Sequence, residues 1–358
     1  MKALDLIHMV PEVEKRLSDD ISKNIYEIKM QYILNRNVKV LLNDLIKSMH
    51  NTFYSKRIKT YELDKVYKSQ EKIDNIVIFG SGMDGTFILN SLKQSSYKNI
   101  NMVFCDNDSS KWNQKVGTDE LIIISPEELI NDYKDSIVII GSRFYKRDIY
   151  NQLLSMNYPI DRVVVDLTRD FMGWEYFDYF EPNENEVFVD GGAFNGLTAI
   201  EFAEWATKGY EYIYSFEANS QSIDVCQGAF KNYNLKGEVI NKGLWHKTDI
   251  LNFNSKSGQG AKITDKGDIR IKTVSLDEIL NGKRVTFIKM DIEGAEYNAL
   301  LGAEQTIKKW HPRMAICIYH KPEDILELPA LILKMNQDYK FALRHYMPNL
   351  YETVLYVY

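Results

Sequence analysis

The residues best able to do chemistry stand at the ends of apolar runs. Val187–Val189 stops at Asp190 and opens at once into Gly191, Gly192, Ala193, Phe194, Asn195 and Gly196, and a second run, Tyr212–Phe216, stops at Glu217. An apolar strand that ends in an acid and glycines brings backbone N–H groups and a helix N-terminus up to a ligand. An acid at the tip of the next strand suits ribose hydroxyls. Together these residues make a half-site for a nucleoside. Farther along, Asp291, Glu293 and Glu296 put three carboxylates within six positions, directly after a run that carries Lys289 near its end. Acids this close repel one another unless a cation, a lysine or a substrate compensates, which marks them as site candidates. His320 follows the run Met314–Tyr319. With a reference pKa of about 6.5, its imidazole can take up a proton near neutral pH.

The elements that must hold these residues are read from periodicity and punctuation. After the strand Val187–Val189 come a helix at Leu197–Ala206, the strand Tyr212–Phe216, a helix at Gln221–Tyr233 and the strand Gly237–Asn241. Leu251–Phe253 and Ile269–Val274 read as extra strands around a polar, glycine-containing loop, and Ser275 with Glu278 three positions on caps a short helix. Val285–Met290 and Met314–Tyr319 are further strands, with helices at Ala295–Trp310 and at Pro322–Met335, where Pro322 suits a first helical position. Lys340–Arg344 and Thr353–Tyr358 are separated by a turn with Met347, Pro348, Asn349 and Leu350 and by no helix. Two strands so joined run antiparallel, so a mostly parallel sheet with one reversed strand is expected.

The earlier half divides in two. Residues 1–69 hold no glycine and one proline and show helical apolar spacing, as in Ile25, Ile28, Tyr32 and Val40, Leu41, Leu45. Two or three helices are expected, either as a cap or homodimerisation arm or as a cover for the next domain. Residues 70–166 read as a small Rossmann-like α/β domain. Its strand Ile76–Phe79 leads into Gly80, Gly82 and Gly85, a G-x-G-x-x-G pattern, and the strand Asn101–Cys105 ends at Asp106, at the interval of a ribose-binding acid. A cluster of short polar residues after a strand is also what an ordinary loop needs, so a scaffold role stands ahead of ligand binding. Residues 167–186 are an aromatic, acidic linker whose rings can face the site or seal a surface. Residues 187–358 form the second α/β domain.

With 358 residues and 45% of them apolar, the chain exceeds one ordinary core. The 44 basic against 50 acidic residues give a formal net charge of -6, which offers no support for a nucleic-acid partner. Met1 to Pro11 has one lysine and no long apolar run, which argues against a signal peptide or a membrane anchor and makes the cytoplasm the default. Cys105, Cys226 and Cys317 lack metal spacing and read as buried thiols. His8, His50, His246 and His311 read as structural, whereas His345 stands where strand-end loops can roof a pocket.

Four separated blocks resemble a known family: Val189 through Gly196; Phe216, Glu217, Ala218, Asn219; Ile288 through Glu296; and Tyr319, His320, Lys321, Pro322, Glu323, Asp324. Over about residues 185–358 the chain resembles class I, S-adenosylmethionine-dependent methyltransferases, and within them the FkbM family of O-methyltransferases. The loop departs from the three-glycine version of that class, because Phe194 occupies its middle position.

The resemblance implies a Rossmann-like sheet of order 3-2-1-4-5-7-6 with strand 7 antiparallel, and methyl transfer from S-adenosylmethionine to a hydroxyl of a sugar or other small molecule. It implies that Asp190 and the backbone from Gly191 and Gly192 to Gly196 hold the amino-acid end of the cofactor, and that Glu217 accepts the ribose hydroxyls. Asn219 and Gly243 lie around the ribose and adenine. A hydroxyl is a poor nucleophile until its proton is taken, so a base is needed. His320, Asp291 and Glu293 are the catalytic candidates, with either the imidazole or a carboxylate as the base. Lys289, Glu296, Lys321 and His345 are candidates for substrate contact. A divalent cation held by Asp291, Glu293 and His320 is a third route, but no spacing here is a metal motif and no metal is assigned. The competing reading is a non-catalytic nucleotide- or sugar-binding scaffold module. An oxidoreductase built on the first glycine pattern is disfavoured, because that domain lacks a second half.

Overall fold

The computed structural model describes residues 3–49, 61–70, 73, 75–116, 121–142, 145–165, 175–254, 262–263, 267–346 and 350–358. The chain forms two compact units, one of residues 1–50 with 174–358 and one of residues 51–173.

The leader contributes α1 (Ala3–Arg16), α2 (Asp20–Asn35) and α3 (Val38–Met49) to the first unit. Asp19 caps α2 by accepting from Ser22 N at 2.8 Å, and Arg36 ends it in the left-handed conformation. Of the apolar residues predicted from spacing, Ile25, Ile28, Leu41 and Leu45 are buried with Val13, Leu17 and Tyr26 in one core with the C-terminal half of the chain, Tyr32 packs half-buried against it and Val40 is exposed. The first three helices of the leader therefore share a core with the C-terminal half of the chain.

The second unit is built from α4 (Tyr61–Ser69), β1 (Asn75–Phe79), α5 (Met83–Lys93), β2 (Asn101–Cys105), β3 (Lys115–Val116), β4 (Leu121–Ile124), α6 (Pro126–Asp132), β5 (Ile137–Ile140), α7 (Lys146–Ser155) and β6 (Val163–Val164). Its sheet runs β3-β4-β2-β1-β5-β6, parallel except for the β3–β4 pair. Ser125 caps α6 in a reciprocal box with Glu128. The glycines serve close packing: a Cβ on Gly85 would lie 1.9 Å from Gly80 O.

The first unit continues with β7 (Glu186–Gly191), α8 (Leu197–Trp205), β8 (Tyr210–Phe216), α9 (Ser220–Asn232), β9 (Gly237–Ile240), β10 (Gly243–Leu244), β11 (Asp249–Asn254), β12 (Lys262–Ile263), β13 (Ile269–Val274) and α10 (Leu276–Leu280). Then follow β14 (Phe287–Met290), α11 (Glu296–Leu301), α12 (Glu304–Trp310), β15 (Arg313–Cys317), α13 (Asp324–Met335), β16 (Phe341–His345) and β17 (Thr353–Val357). Seven strands form one sheet in the order β16-β17-β15-β14-β7-β8-β9, with β17 alone antiparallel to its neighbours. The extra strands make a separate sheet, β10-β13-β11-β12. Against the sheet, α1 and α2 of the leader pack on α13 and α2 also on β16, where Arg344 pairs with Asp19 at 2.9 Å and Leu343 N donates to Ser22 Oγ at 2.9 Å.

Two helix expectations need correction. The run Ala295–Trp310 is two helices, because Gly302 O accepts from Asp277 N at 2.9 Å while the Asp277 carboxylate caps α12 through Gln305 N and Thr306 N. A Cβ on Gly302 would also lie 2.1 Å from Trp245 O. The last helix begins at Asp324, not at Pro322, because the Asp324 carboxylate closes a turn with Lys321 N at 2.9 Å. The aromatic linker turns inward. Phe177 and Phe180 pack on Phe188, Trp205 and Phe287 in this unit's own core. Phe171 and Trp174 of the linker, and the turn at Met347, Pro348 and Asn349, lie outside the described residues.

Candidate active site

The sheet order reverses at β7, between β14 on one side and β8 on the other, and a ligand crevice belongs at the carboxyl ends of the strands at such a point. The loop after β7 is tied to the tip of β8: Gly192 N and Ala193 N donate to Phe216 O at 3.0 and 2.9 Å. Gly192 has φ +80, and a Cβ there would lie 1.9 Å from Asp291 O, so only glycine fits. Phe194, also left-handed at φ +46, donates its N–H to Glu217 Oε2 at 2.8 Å, while Glu217 Oε1 accepts from Asn219 N at 2.6 Å. Burial pushes the Glu217 carboxyl up, and these two donors work against that. Each of its oxygens keeps a further lone pair, so the carboxylate retains capacity for ligand hydroxyls. Gly196, at φ +81, opens α8 without a side-chain cap.

Asp190 and Lys289 pair with each other beneath the glycine loop. Both side chains are buried, at 0% and 2% exposure, and the ammonium lies 3.0 Å from Asp190 Oδ1, 3.1 Å from Gly191 O and 2.9 Å from Gly192 O. Burial disfavours a charged lysine, but Asp190 and Asp291 outweigh it and hold Lys289 protonated. The pair is an internal staple that fixes the glycine loop from beneath. Neither residue is exposed for direct contact with cofactor or substrate.

The acid turn after β14 adjoins this loop, with Asp291 N donating to Gly191 O at 3.1 Å. Asp291 is held by two phenols: Tyr176 donates to Oδ2 and Tyr319 to Oδ1, each at 3.0 Å. Burial pushes both tyrosines far above their ordinary pKa, so they remain neutral donors. Glu293 has φ +57, a strained conformation for a residue with a side chain, and Gly294 follows at φ +89. Lys321 Nζ donates to Gly294 O and fixes that turn. His320 lies among three carboxylates, with Nε2 3.5 Å from Asp291 Oδ1 and 3.4 Å from Glu293 Oε2, and Nδ1 3.1 Å from Glu296 Oε1. Glu296 is itself fixed by accepting from Ile292 N at 2.9 Å.

Burial opposes the charge on His320, but Glu293, Glu296 and Asp291 overcome it and push the pKa up to about 10. An imidazole so held carries both protons at neutral pH and has no lone pair with which to act as the base. Of the two bases left open by the sequence, imidazole and carboxylate, this setting favours a carboxylate. Asp291, Glu296 and His320 do bring one ligand atom each to within 4.8 Å of one another. Carboxylates face both ring nitrogens, which suits an ion-paired imidazolium; with the ring neutral the same donors suit a divalent cation.

The remaining candidates are dispersed. Asn219 is the cap of α9, its Oδ1 accepting from Gln221 N at 3.1 Å. Gly243 sits in β10, where a Cβ would lie 3.5 Å from Ala218 Cβ, close to the tip of β8. His345 is buried in the edge strand β16, its Nδ1 2.8 Å from Thr353 Oγ1. Tyr176 and Tyr319 were missed as site residues. Tyr319 adjoins His320 and could have been found from that position; Tyr176 lies in the linker, and no local pattern distinguishes it from its aromatic neighbours.

In the second unit, the acid expected to take ribose is occupied by its own loop. Asp106 Oδ2 accepts from Ser81 N at 2.9 Å, Ser81 Oγ at 2.5 Å and Lys111 Nζ at 3.1 Å, and Oδ1 accepts from Asp108 N at 2.9 Å. Burial works against the carboxylate, but these donors hold its pKa down to about 2. Cys105, Cys226 and Cys317 are free and buried. Among the described residues no helix is long and apolar enough to cross a membrane.

Residues 190–342 match the family model of the methyltransferase FkbM domain, and residues 72–164 match that described as C2185-like, N-terminal. No curated protein matches the chain. Among solved structures the chain is similar to methyltransferase FkbM from Methylobacillus flagellatus KT, at 19% identity over 88% of this chain and 99% of that one, with a TM-score of 0.45. It is similar to Aeropyrum pernix fibrillarin with natively bound S-adenosyl-L-methionine, at 10% identity over 50% and 69%, TM-score 0.34. A SAM-dependent methyltransferase from Aquifex aeolicus is similar at 14% identity over 58% and 96%, TM-score 0.31. The α/β sheet, its flanking helices and the family match define the class as a Rossmann-like methyltransferase of class I type. Within that class, the chain carries an FkbM-family, S-adenosylmethionine-dependent methyltransferase domain, and that domain is an enzyme's.

Proposed function

We propose that this protein transfers a methyl group from S-adenosylmethionine to a hydroxyl of a sugar or another small molecule. One observation carries the reading: the glycine loop and the acid turn form a continuous surface, joined by the bond from Asp291 N to Gly191 O and by the contact that excludes a Cβ at Gly192. A cofactor cradle directly against a cluster of carboxylates suits a reaction in which a proton leaves the acceptor as a group arrives.

S-adenosylmethionine, when bound, supplies an electrophilic methyl on a sulfonium centre. On the protein side, Glu217 accepts the ribose hydroxyls, and the N-terminus of α8 faces the donor's carboxylate. The residues Gly191, Gly192 and Gly196 shape the cradle. Glu293 takes the proton from the acceptor hydroxyl: its side chain is more exposed than those of His320 and Glu296, and the imidazolium of His320 keeps it in place. Asp291, held by two phenols, orients the acceptor, and Lys321 sets the turn beneath.

Calorimetry with S-adenosylmethionine, with its demethylated product and with NAD tests the reading. Both sulfur compounds bind the wild type, and Glu217→Ala loses them; binding of NAD alone would overturn it. Transfer of labelled methyl into small molecules of a cell extract, with and without a chelator, then identifies the acceptor class and any cation requirement.

A further inference from the structure

Among the described residues of the first unit two aromatic rings are exposed, Phe194 at 38% and Tyr351 at 60%, and the others are buried or half-buried. Both stand at the site. Phe194 lies in the loop that cradles the donor in the reaction proposed above. Tyr351 lies just before β17 and packs edge-to-face on Tyr319, with ring centroids 5.8 Å apart at 82°. Tyr319 in turn donates to Asp291 Oδ1 at 3.0 Å. The next residue, Glu352, brings a carboxylate oxygen to within 4.8 Å of one on Asp291. The backbone here is pinned as well: Glu352 O accepts from Tyr346 N at 2.9 Å, and Thr353 O accepts from Ile318 N at 3.0 Å. Glu352 holds φ +61, a conformation that costs energy in a residue with a side chain. A lone exposed ring is ordinary on a protein surface, but this one is fixed one ring away from the acid of the site.

We propose that Tyr351 is the platform on which the methyl acceptor binds, and that this acceptor is a carbohydrate, stacked on the Tyr351 ring with its hydroxyls directed at Asp291 and Glu293. The surroundings of the ring select that class. Asp291 and Glu293 keep 22% and 27% of their side-chain surface open, so hydroxyl-accepting oxygens stand beside an open aromatic ring. A sugar ring satisfies both at once, with C–H groups on its face for the tyrosine and several hydroxyls on its rim for the carboxylates. An apolar alcohol would use the ring and leave most of those oxygens without a donor. The inference rests on the methyl transfer proposed above and names the acceptor class and the residue that selects it.

The test uses the full chain, labelled S-adenosylmethionine and the small-molecule fraction of a cell extract, one portion of it treated with periodate, which cleaves the vicinal diols of sugars, and then quenched. Label enters the untreated portion and not the oxidised one. Tyr351→Ala lowers the initial rate in dilute extract about tenfold, and concentrated extract restores the wild-type maximum, because acceptor binding is lost while the chemical step is intact. Tyr351→Phe and Tyr351→Trp keep the ring and stay within about threefold of the wild type. Donor affinity by calorimetry and thermal unfolding are unchanged in all three variants, since the side chain is exposed and lies outside the donor loop. Undiminished transfer after periodate overturns the carbohydrate, a result that needs no variant to fold. A wild-type rate for Tyr351→Ala in dilute extract overturns the platform, as does a loss in Tyr351→Phe equal to that in the alanine variant. A wild type that binds the donor and labels neither portion overturns the acceptor class and the platform together. A wild type that binds no donor overturns the proposed function itself, and calorimetry thereby separates that failure from the failure of this inference.

Discussion

In the proposed reaction, Glu293 and His320 divide roles that the sequence could not divide. Glu293→Gln is expected to lower turnover by about 10²- to 10⁴-fold, the usual contribution of a general base, with donor affinity little changed; steady-state kinetics and calorimetry on one preparation check this. His320 has a second consequence, for stability. Its folded pKa is raised from 6.5 to about 10, so the stabilisation is complete below about pH 6.5 and is lost as the pH rises toward 10. Denaturant unfolding between pH 7 and 10 should show that decline in the wild type and a flatter profile in His320→Gln. The types and positions of these residues were legible, because strand tips and clustered acids stand out along the chain. The direction of the His320 pKa was not, since it depends on carboxylates from a turn and a helix meeting around one ring. Likewise Lys289 and Asp190 were visible as charges at strand ends, but only the pairing of β7 with β14 shows that each neutralises the other.

At the level of elements, the loops are more constrained than the helices they join. Gly192→Ala forces a left-handed conformation on alanine and drives its Cβ into Asp291 O, so it should destabilise the first unit by about 2 kcal/mol or more and abolish donor binding. Thermal unfolding and calorimetry read the two effects separately. Asp277→Ala removes the cap of α12 and should cost about 1 kcal/mol in denaturant unfolding, although the residue belongs to the turn of another helix. That cap is the reason the split at Gly302 was not legible: apolar spacing runs on through the break, and the interrupting contacts come from Asp277 and Trp245, remote in sequence. The terminal strand pair was legible because a helix-free connection permits only antiparallel pairing, and β16 and β17 pair that way.

For the whole molecule, two units with separate cores imply two unfolding events. Differential scanning calorimetry should show S-adenosylmethionine at a hundred times its Kd stabilising the event of the first unit by about 2.7 kcal/mol and leaving the other in place. Movement of the other event instead would place the donor in the second unit. That outcome runs against the way Asp106 is taken up by Ser81, Asp108 and Lys111.

Tyr176 reaches Asp291 from upstream of the strand that opens the recognised domain at residue 190. Phe177 and Phe180 enter the aromatic core from the same stretch. Anyone trimming the gene to the borders of the matched region would thus discard a phenol that donates to Asp291 and two rings of the aromatic core. A minimal fragment must start ahead of residue 175 and must bring the leader helices with it, which makes the first unit discontinuous along the chain, with the second inserted in its sequence.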